Sequence, residues 1–369
     1  MKFWKRGMAL LLAVSDCFTF LTACGQTEAA GDQLALAVCV GETPATYDPI
    51  YAEEPGEQTA LNHLYENLMR LEQDENGQTV AVNGAARSVD VKENADGTVT
   101  YTFRLRDGKW SDGVDVKAGD FVYAWQRLAD PAAGSAYAPL LSIISGYDEA
   151  RASGDMSLLG VAAKNNSTFV VTLNGQYDWF LREVCTSIAT MPLRQDVVTR
   201  LKQEADQANA ALSDEEAVNR WWSDPTRLVT NGPYVVSARE DTSLVLGENT
   251  AYGKKLTGPT ELIFRFGDTA TAQILYDQGV VDALWPLSEE QMAEKKAADE
   301  NWQAEPVLVT YSVLFNCGRL EDEQIRKALS LAIDRSALAE LAGVTAQAAA
   351  GLVPPGVPEG EKDFRTTGG

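Results

Sequence analysis

Apolar and polar residues alternate from Tyr101 to Arg106, with Tyr101, Phe103 and Leu105 on one side and Thr102, Arg104 and Arg106 on the other. A period of two predicts a half-buried strand. A few residues later the period changes. Phe121, Ala124, Trp125 and Leu128 recur at i, i+3, i+4 and i+7, which predicts an amphipathic helix that stops before Asp130-Pro131. Trp110 and Trp125 are read as core. Tyr123 lies two residues from Phe121, roughly 200° around a 3.6-residue helix. It falls off the apolar stripe, as an isolated exposed ring or as part of a binding surface.

The same reading extends along the chain. Leu34 to Val40 is almost continuously apolar and predicts a buried strand ended by Tyr47-Asp48-Pro49. Leu61, Leu64, Tyr65, Leu68 and Met69 predict an amphipathic helix with His63 off the stripe and solvated. Asn76-Gly77, Asn83-Gly84 and Asp96-Gly97 are tight-turn pairs, and Asp96-Gly97 between Val89–Val91 and Val99–Leu105 predicts a hairpin. Helix is predicted at Leu140–Ile144 and from Asp178, a strand at Phe169–Leu173, and a long charged helix at Val198–Trp222. Strands follow at Ser243–Leu246, Leu262–Phe266 and Gly279–Leu284, with a helix at Thr271–Gln278.

Composition narrows the function classes. The formal net charge is −22 with one histidine. Without residues 1–23 the chain keeps 28 cationic and 52 acidic residues, a net of −24. Nucleic-acid binding needs a basic footprint, so it is excluded. One histidine does not readily assemble a Ser-His-Asp or Cys-His system, and no Walker A or GxGxxG motif occurs. No enzyme activity and no cofactor are expected. Cys39, Cys185 and Cys317 lack metal-site spacing and read as buried free thiols.

The N-terminus reads as a targeting segment. Lys2, Lys5 and Arg6 precede an apolar stretch too short and too interrupted to span a membrane. Leu21-Thr22-Ala23-Cys24-Gly25 resembles a bacterial lipobox, in which Cys24 becomes the lipid-bearing mature N-terminus. Residues 1–23 are then a signal peptide and 24–33 a polar tether.

The run YTFRLRDGKWSDGVDVKAGDFVYAWQRLADP resembles the signature region of the oligopeptide/dipeptide-binding proteins of ABC importers. Thr230-Asn231-Gly232-Pro233-Tyr234 resembles that family's TNGPY segment, Asn249–Tyr252 its N-x-x-Y, and Gly279–Asp282 its G-x-I/V-D strand. Thr310–Asn316 resembles the strand crossing to the second lobe, and Ile325–Ala339 that lobe's first helix. The resemblance runs from residue 34 to about 358 in the family's order. It implies an α/β, periplasmic-binding-protein-like two-lobe fold of type II, cluster C. Residues 34–70 and 179–310 would form lobe I, 71–178 a subdomain inserted in it, and 311–369 the start of an incomplete lobe II. The polar ending EGEKDFRTTGG is read as a truncation.

The resemblance also implies a function. Two lobes would close by a hinge over a short peptide, handing it to permease and ATPase subunits of an importer. The protein would be a monomer, extracytoplasmic, and held to the bacterial cell membrane by lipid on Cys24. Carried over by position, the implied ligand contacts are Glu53 and Pro55 in the loop before the first helix, Tyr123, Trp285, and Tyr311 with Ser312 on the crossing strand. Leu314 stands where an acidic pocket residue occurs in the oligopeptide binder used for comparison, which argues against a preference for basic side chains. Two alternatives stay open: a surface peptide receptor uncoupled from transport, and a family member binding a nickel chelate or a sugar.

Overall fold

The computed structural model describes residues 34–75, 79–213, 216–285, 287–298, 308–359 and 362–367. The signal segment, Cys24, the tether and Asn76-Gly77 lie outside the described residues. The chain divides into two compact units, one ending at Trp285 and the other beginning at Pro286.

The first unit opens with β1 (Ala35–Val40), a long loop and α1 (Pro55–Leu64). A hairpin of β2 (Met69–Gln73) and β3 (Thr79–Asn83) follows. Next come β4 (Ala86–Glu93), β5 (Val99–Leu105), α2 (Ala118–Ala129), α3 (Tyr147–Ser153), β6 (Val161–Asn165), β7 (Thr168–Leu173) and α4 (Gln195–Asn209). The unit ends with β8 (Tyr234–Glu240), β9 (Ser243–Glu248), β10 (Glu261–Arg265), α5 (Thr269–Asp277) and β11 (Ala283–Trp285).

Two sheets organise this unit. The larger has the order β11-β1-β10-β9-β8, with β1 parallel to both its neighbours and the other pairs antiparallel. The smaller, β4-β5-β7-β6, is antiparallel throughout. In it β5 buries Val99, Tyr101, Phe103 and Leu105, the face that the alternation predicts. Across from it, α2 buries Phe121, Ala124, Trp125 and Leu128. The Phe169 ring meets Trp125 edge-on at 5.2 Å and Phe121 at 5.8 Å. Trp125 sends its indole N–H to the Thr190 carbonyl at 3.0 Å, so the largest core ring leaves no orphan donor. Trp110 is fully buried, and its indole N–H bonds Asp120 at 2.9 Å. Asp120 also accepts the Lys117 amide at 2.8 Å and so closes the first turn of α2. Burial raises the Asp120 pKa, against the opposing pull of these bonds and nearby Arg194.

Parts of the signature segments form a clasp. Ser111 and Thr230 exchange bonds, Ser111 N to Thr230 O at 2.8 Å and Thr230 N to Ser111 Oγ at 3.2 Å. Asn231 accepts from the Glu66 amide at 3.1 Å and donates to the Glu66 carbonyl at 2.9 Å. Gly232 donates to the Leu64 carbonyl at 2.8 Å, and Asn249 donates its side-chain amide to the Gly232 carbonyl at 2.8 Å. The end of α1, the loop after β5 and the approach to the main sheet are thereby joined through backbone groups that would otherwise lack partners.

Several predicted elements shift. The first helix ends at Leu64, since Tyr65 turns extended, so Leu68 and Met69 are buried beyond it. The helix predicted over Val198–Trp222 stops at Asn209, and Trp221 beyond it is buried. Leu140–Ile144 and the segment from Asp178 supply only short helical turns, Ala138–Leu141 and Phe180–Val184. The strand predicted from Gly279 is only Ala283–Trp285.

His63 is half-buried rather than solvated. Its ring lies 5.4 Å from Phe264 and 5.8 Å from Tyr234, and Nδ1 sits 2.7 Å from the Thr59 carbonyl, as a donor in the neutral ring. Burial lowers its pKa below the ordinary 6.5, outweighing the bond to Thr59. A depressed histidine stabilises the fold fully above the unfolded pKa and loses that contribution as pH falls towards the folded value. Relative to His63→Asn, the wild-type chain should lose stability on acidification below 6.5, with a slope of at most about 1.4 kcal/mol per pH unit. Parallel urea titrations at pH 7.5 and 5.5 measure this, and equal losses in both proteins would refute it.

In the second unit, α6 (Glu289–Ala298) is followed by α7 (Glu323–Ala332) and α8 (Arg335–Ala342). The single helix predicted over Ile325–Ala339 is thus two, broken where Asp334 caps α8 by accepting the Ser336 and Ala337 amides. Neither α7 nor α8 has a buried residue. Residues 308–316 carry no strand, so the crossing strand expected at Thr310–Asn316 is not formed. Cys39 and Cys185 are buried free thiols, whereas Cys317 is exposed. Among the described residues no helix is long and apolar enough to cross a membrane.

Candidate functional site

β1, β10 and β11 run parallel, so their C-terminal ends, Val40, Arg265 and Trp285, share one edge of the main sheet. In open α/β sheets this edge is where ligands bind. The loop leaving β1 carries Glu53 and leads into α1, whose first residue is Pro55. The helix start packs closely on the strand end: a Cβ on Gly56 would lie 3.0 Å from the Val40 carbonyl and 3.1 Å from that of Glu42.

Glu57 holds this loop in shape. Its carboxylate is buried and accepts four backbone amides, Ala45 at 3.0 Å and Thr46 at 3.1 Å on one oxygen, Glu53 at 3.0 Å and Glu54 at 3.2 Å on the other. Both limbs of the loop therefore converge on one side chain. Glu53 and Pro55 are exposed at its tip. Tyr137 flanks Glu53 and donates its hydroxyl to the Ala52 carbonyl at 2.9 Å. Burial, then the negative charge of Glu53, raises the Tyr137 pKa.

A second anchor sits deeper. Asp48 is fully buried and receives Arg127 through both guanidinium nitrogens at 2.7 and 2.5 Å, and the Trp221 indole N–H at 2.9 Å. Burial works against the Arg127 charge, but its bonds to Asp48 outweigh this and raise its pKa. The guanidinium lies 5.9 Å from the ring centres of both Tyr51 and Trp221, and Tyr51 packs against Trp222 at 5.9 Å.

Tyr123 stands one turn before Arg127 on α2 and is half-buried against the core. Burial raises its pKa; the Arg127 charge opposes this and Asp48 adds to it. The phenol therefore remains a neutral hydroxyl, able to donate and accept at once. Within the first unit, Tyr123 shares the electrostatic neighbourhood of Asp48 and Arg127, and Asp48 belongs to the loop that bears Glu53. Trp285 lies at the far side of that edge, paired through its backbone with Val40. Tyr311 and Ser312 belong to the second unit, where Tyr311 is 96% exposed. Leu314 in that unit is exposed as well.

No predicted ligand residue lines either of two recesses in the first unit. One, of about 30 Å³, lies beside Glu66 and Lys254; the other, of about 300 Å³, lies beside Arg265 and Phe266. The candidate site is an open edge. Sequence reasoning missed Asp48, Tyr51, Arg127, Trp221 and Tyr137. An arginine on an amphipathic helix ordinarily reaches solvent, so the sequence alone does not pair Arg127 with Asp48.

The sequence pattern of the bacterial extracellular solute-binding proteins, family 5 Middle, matches residues 81–367. The chain belongs to this family. As a family 5 protein it is similar to the dipeptide-binding protein DppE of Bacillus subtilis strain 168, with 27% identity over 389 residues, covering 100% of this chain and 66% of DppE. Among solved structures, the OppA of Burkholderia pseudomallei superposes with a TM-score of 0.71 at 26% identity, covering 90% of this chain and 63% of that one. The Haemophilus influenzae OppA in complex with the peptide RPPGFSPFR gives 0.68 at 28% identity, covering 84% and 58%. The fold is therefore the mixed α/β fold of the periplasmic peptide-binding proteins. The chain spans two thirds or less of the length of each of these relatives.

Proposed function

We propose that the chain supplies the first ligand-binding wall of an extracytoplasmic lipoprotein that captures short peptides for an ABC importer. The observation that supports this reading is that Tyr123 stands one turn from Arg127, whose guanidinium holds Asp48 in the loop that bears Glu53, within a family 5 chain. Residues 34–70 and 179–310 form lobe I, 71–178 its inserted subdomain, and 311–369 belong to lobe II. Cys24 carries the lipid that holds the protein to the cell membrane. It works as a monomer and delivers peptide to permease and ATPase subunits.

In this mechanism Glu53 attracts a cationic peptide terminus, Pro55 and Trp285 shape the walls, and the neutral Tyr123 hydroxyl bonds the peptide main chain. Tyr311 and Ser312 add further contacts to the ligand. Main-chain recognition, with side chains in hydrated pockets, tolerates varied sequences. Thermal denaturation with a mixture of tripeptides tests the proposal. At a hundredfold excess over Kd, binding should stabilise the protein by about 2.7 kcal/mol and raise Tm by several degrees. No shift with peptides, but one with a nickel chelate or a sugar, would move the assignment to those ligands.

A further inference from the structure

We propose that Asp48, Arg127 and Trp221 form a positioning device that holds the loop bearing Glu53 and Pro55 in register with Tyr123. The proposal rests on the reading of this edge as the ligand site. The three residues come from segments far apart in sequence: the loop after β1, the body of α2, and the stretch after α4. They meet on one carboxylate. Oδ1 of Asp48 accepts Arg127 Nη1, and Oδ2 accepts both Arg127 Nη2 and Trp221 Nε1.

Stability alone is a weak reason for such an arrangement. Removing two charges from water is expensive, and an apolar pair of similar volume in the same place is often neutral or better. A bidentate guanidinium–carboxylate pair fixes distance and angle together, which an apolar contact does not. What it fixes here is specific. Arg127 follows Tyr123 by one helical turn, so the pair sets where the loop stands relative to that phenol. Tyr51, three residues after Asp48, extends the restraint towards the loop tip. Its ring lies beside the Arg127 guanidinium, and its hydroxyl bonds the Ala133 carbonyl at 2.7 Å, just beyond the end of α2. Asp48 also has no exposed surface, so the pair is not itself a ligand contact.

The test replaces the pair by apolar groups in the full chain, Asp48→Leu with Arg127→Met, and reads three quantities. Tm should fall by a few degrees, because the Trp221 indole N–H and the Ile50 amide lose their acceptor. Amide exchange at Glu53 and Glu54, whose N–H groups bond Glu57 and not Asp48, should accelerate at least tenfold. Affinity for trialanine should fall at least tenfold. A folded double variant with wild-type exchange at both amides would overturn the proposal, because the pair would then serve only as packing. If the wild-type chain fails to bind trialanine, the peptide reading falls, and the exchange rates still decide the positioning role. If the double variant does not fold, Arg127→Lys decides, since it keeps the charge and removes the planar fork. A folded Arg127→Lys chain with accelerated exchange at Glu53 and Glu54 supports the proposal. Unchanged exchange, or a chain that unfolds even with lysine present, overturns it.

Discussion

Replacing Glu57 by alanine should destabilise the protein by about 3–5 kcal/mol, the larger of the two strongest effects expected here. Four backbone amides converge on its carboxylate: Ala45, Thr46, Glu53 and Glu54. A hydrogen bond to a charged group contributes about 1.5–3 kcal/mol, and a buried donor left without a partner costs about 1–3 kcal/mol. The four terms do not add, because Ala45, Glu53 and Glu54 are exposed enough for water to reach their amides in the variant. Thr46 is buried and has no such recourse. For a unit of this size the loss corresponds to a fall in Tm of about 10 °C. Glu57→Gln should fall between wild type and alanine, since one end of the amide still accepts and the other presents hydrogens to two donors. Calorimetry of the three proteins checks the order, and an alanine variant with wild-type Tm would mean that the loop does not depend on this carboxylate.

Gly232→Ala should cost about 3 kcal/mol or more, beyond the usual range for one added methyl in a packed interior. A Cβ at this position would stand 2.5 Å from the Leu64 carbonyl carbon, 2.6 Å from its oxygen and 2.7 Å from the Tyr65 nitrogen. All three are backbone atoms at the end of α1, so no rotamer change relieves the clash. Any retreat would break the bond from Gly232 to Leu64 and pull on the paired bonds between Asn231 and Glu66. Gly119 is the control. It sits exposed in the first turn of α2, and a Cβ there meets nothing within 4 Å. Gly119→Ala should be neutral or stabilising by up to about 1 kcal/mol, from helix propensity. Urea midpoints for the two variants separate the cases, and equal midpoints would contradict the steric argument.

The elements that periodicity predicts best are those whose partners lie within the same module. β5 and α2 bury the faces their spacing assigns because each packs against the other's immediate neighbours. The Asp96-Gly97 hairpin was legible for the same reason, and Asn94 N bonds Thr98 O at 2.8 Å across it. Prediction weakened where a remote segment decides. Leu68 and Met69 continue the helical spacing of α1, yet the chain leaves the helix at Tyr65, where Asn231 and Gly232 take up the Leu64 and Glu66 backbone. His63 read as solvated because its helical neighbours are polar, whereas Phe264 and Tyr234 reach it from the main sheet.

The same logic applies to the site. Tyr123 was singled out by its angle on the helix. Its charged neighbour Asp48 lies 75 positions earlier in the chain and is joined to α2 only through the fold. TNGPY was legible as a motif but not in its role: its side chains and backbone satisfy buried groups of α1 and β9's following turn. A family signature can mark what keeps a scaffold together as readily as what touches the ligand.

Calorimetric titration of trialanine into the wild-type and Tyr123→Ala proteins tests the central claim most directly. The substitution should leave the protein folded and weaken binding about tenfold, as expected for the loss of one aromatic contact with a hydrogen-bonding tip. Unchanged affinity in a folded Tyr123→Ala protein would contradict the placement of the ligand at this edge.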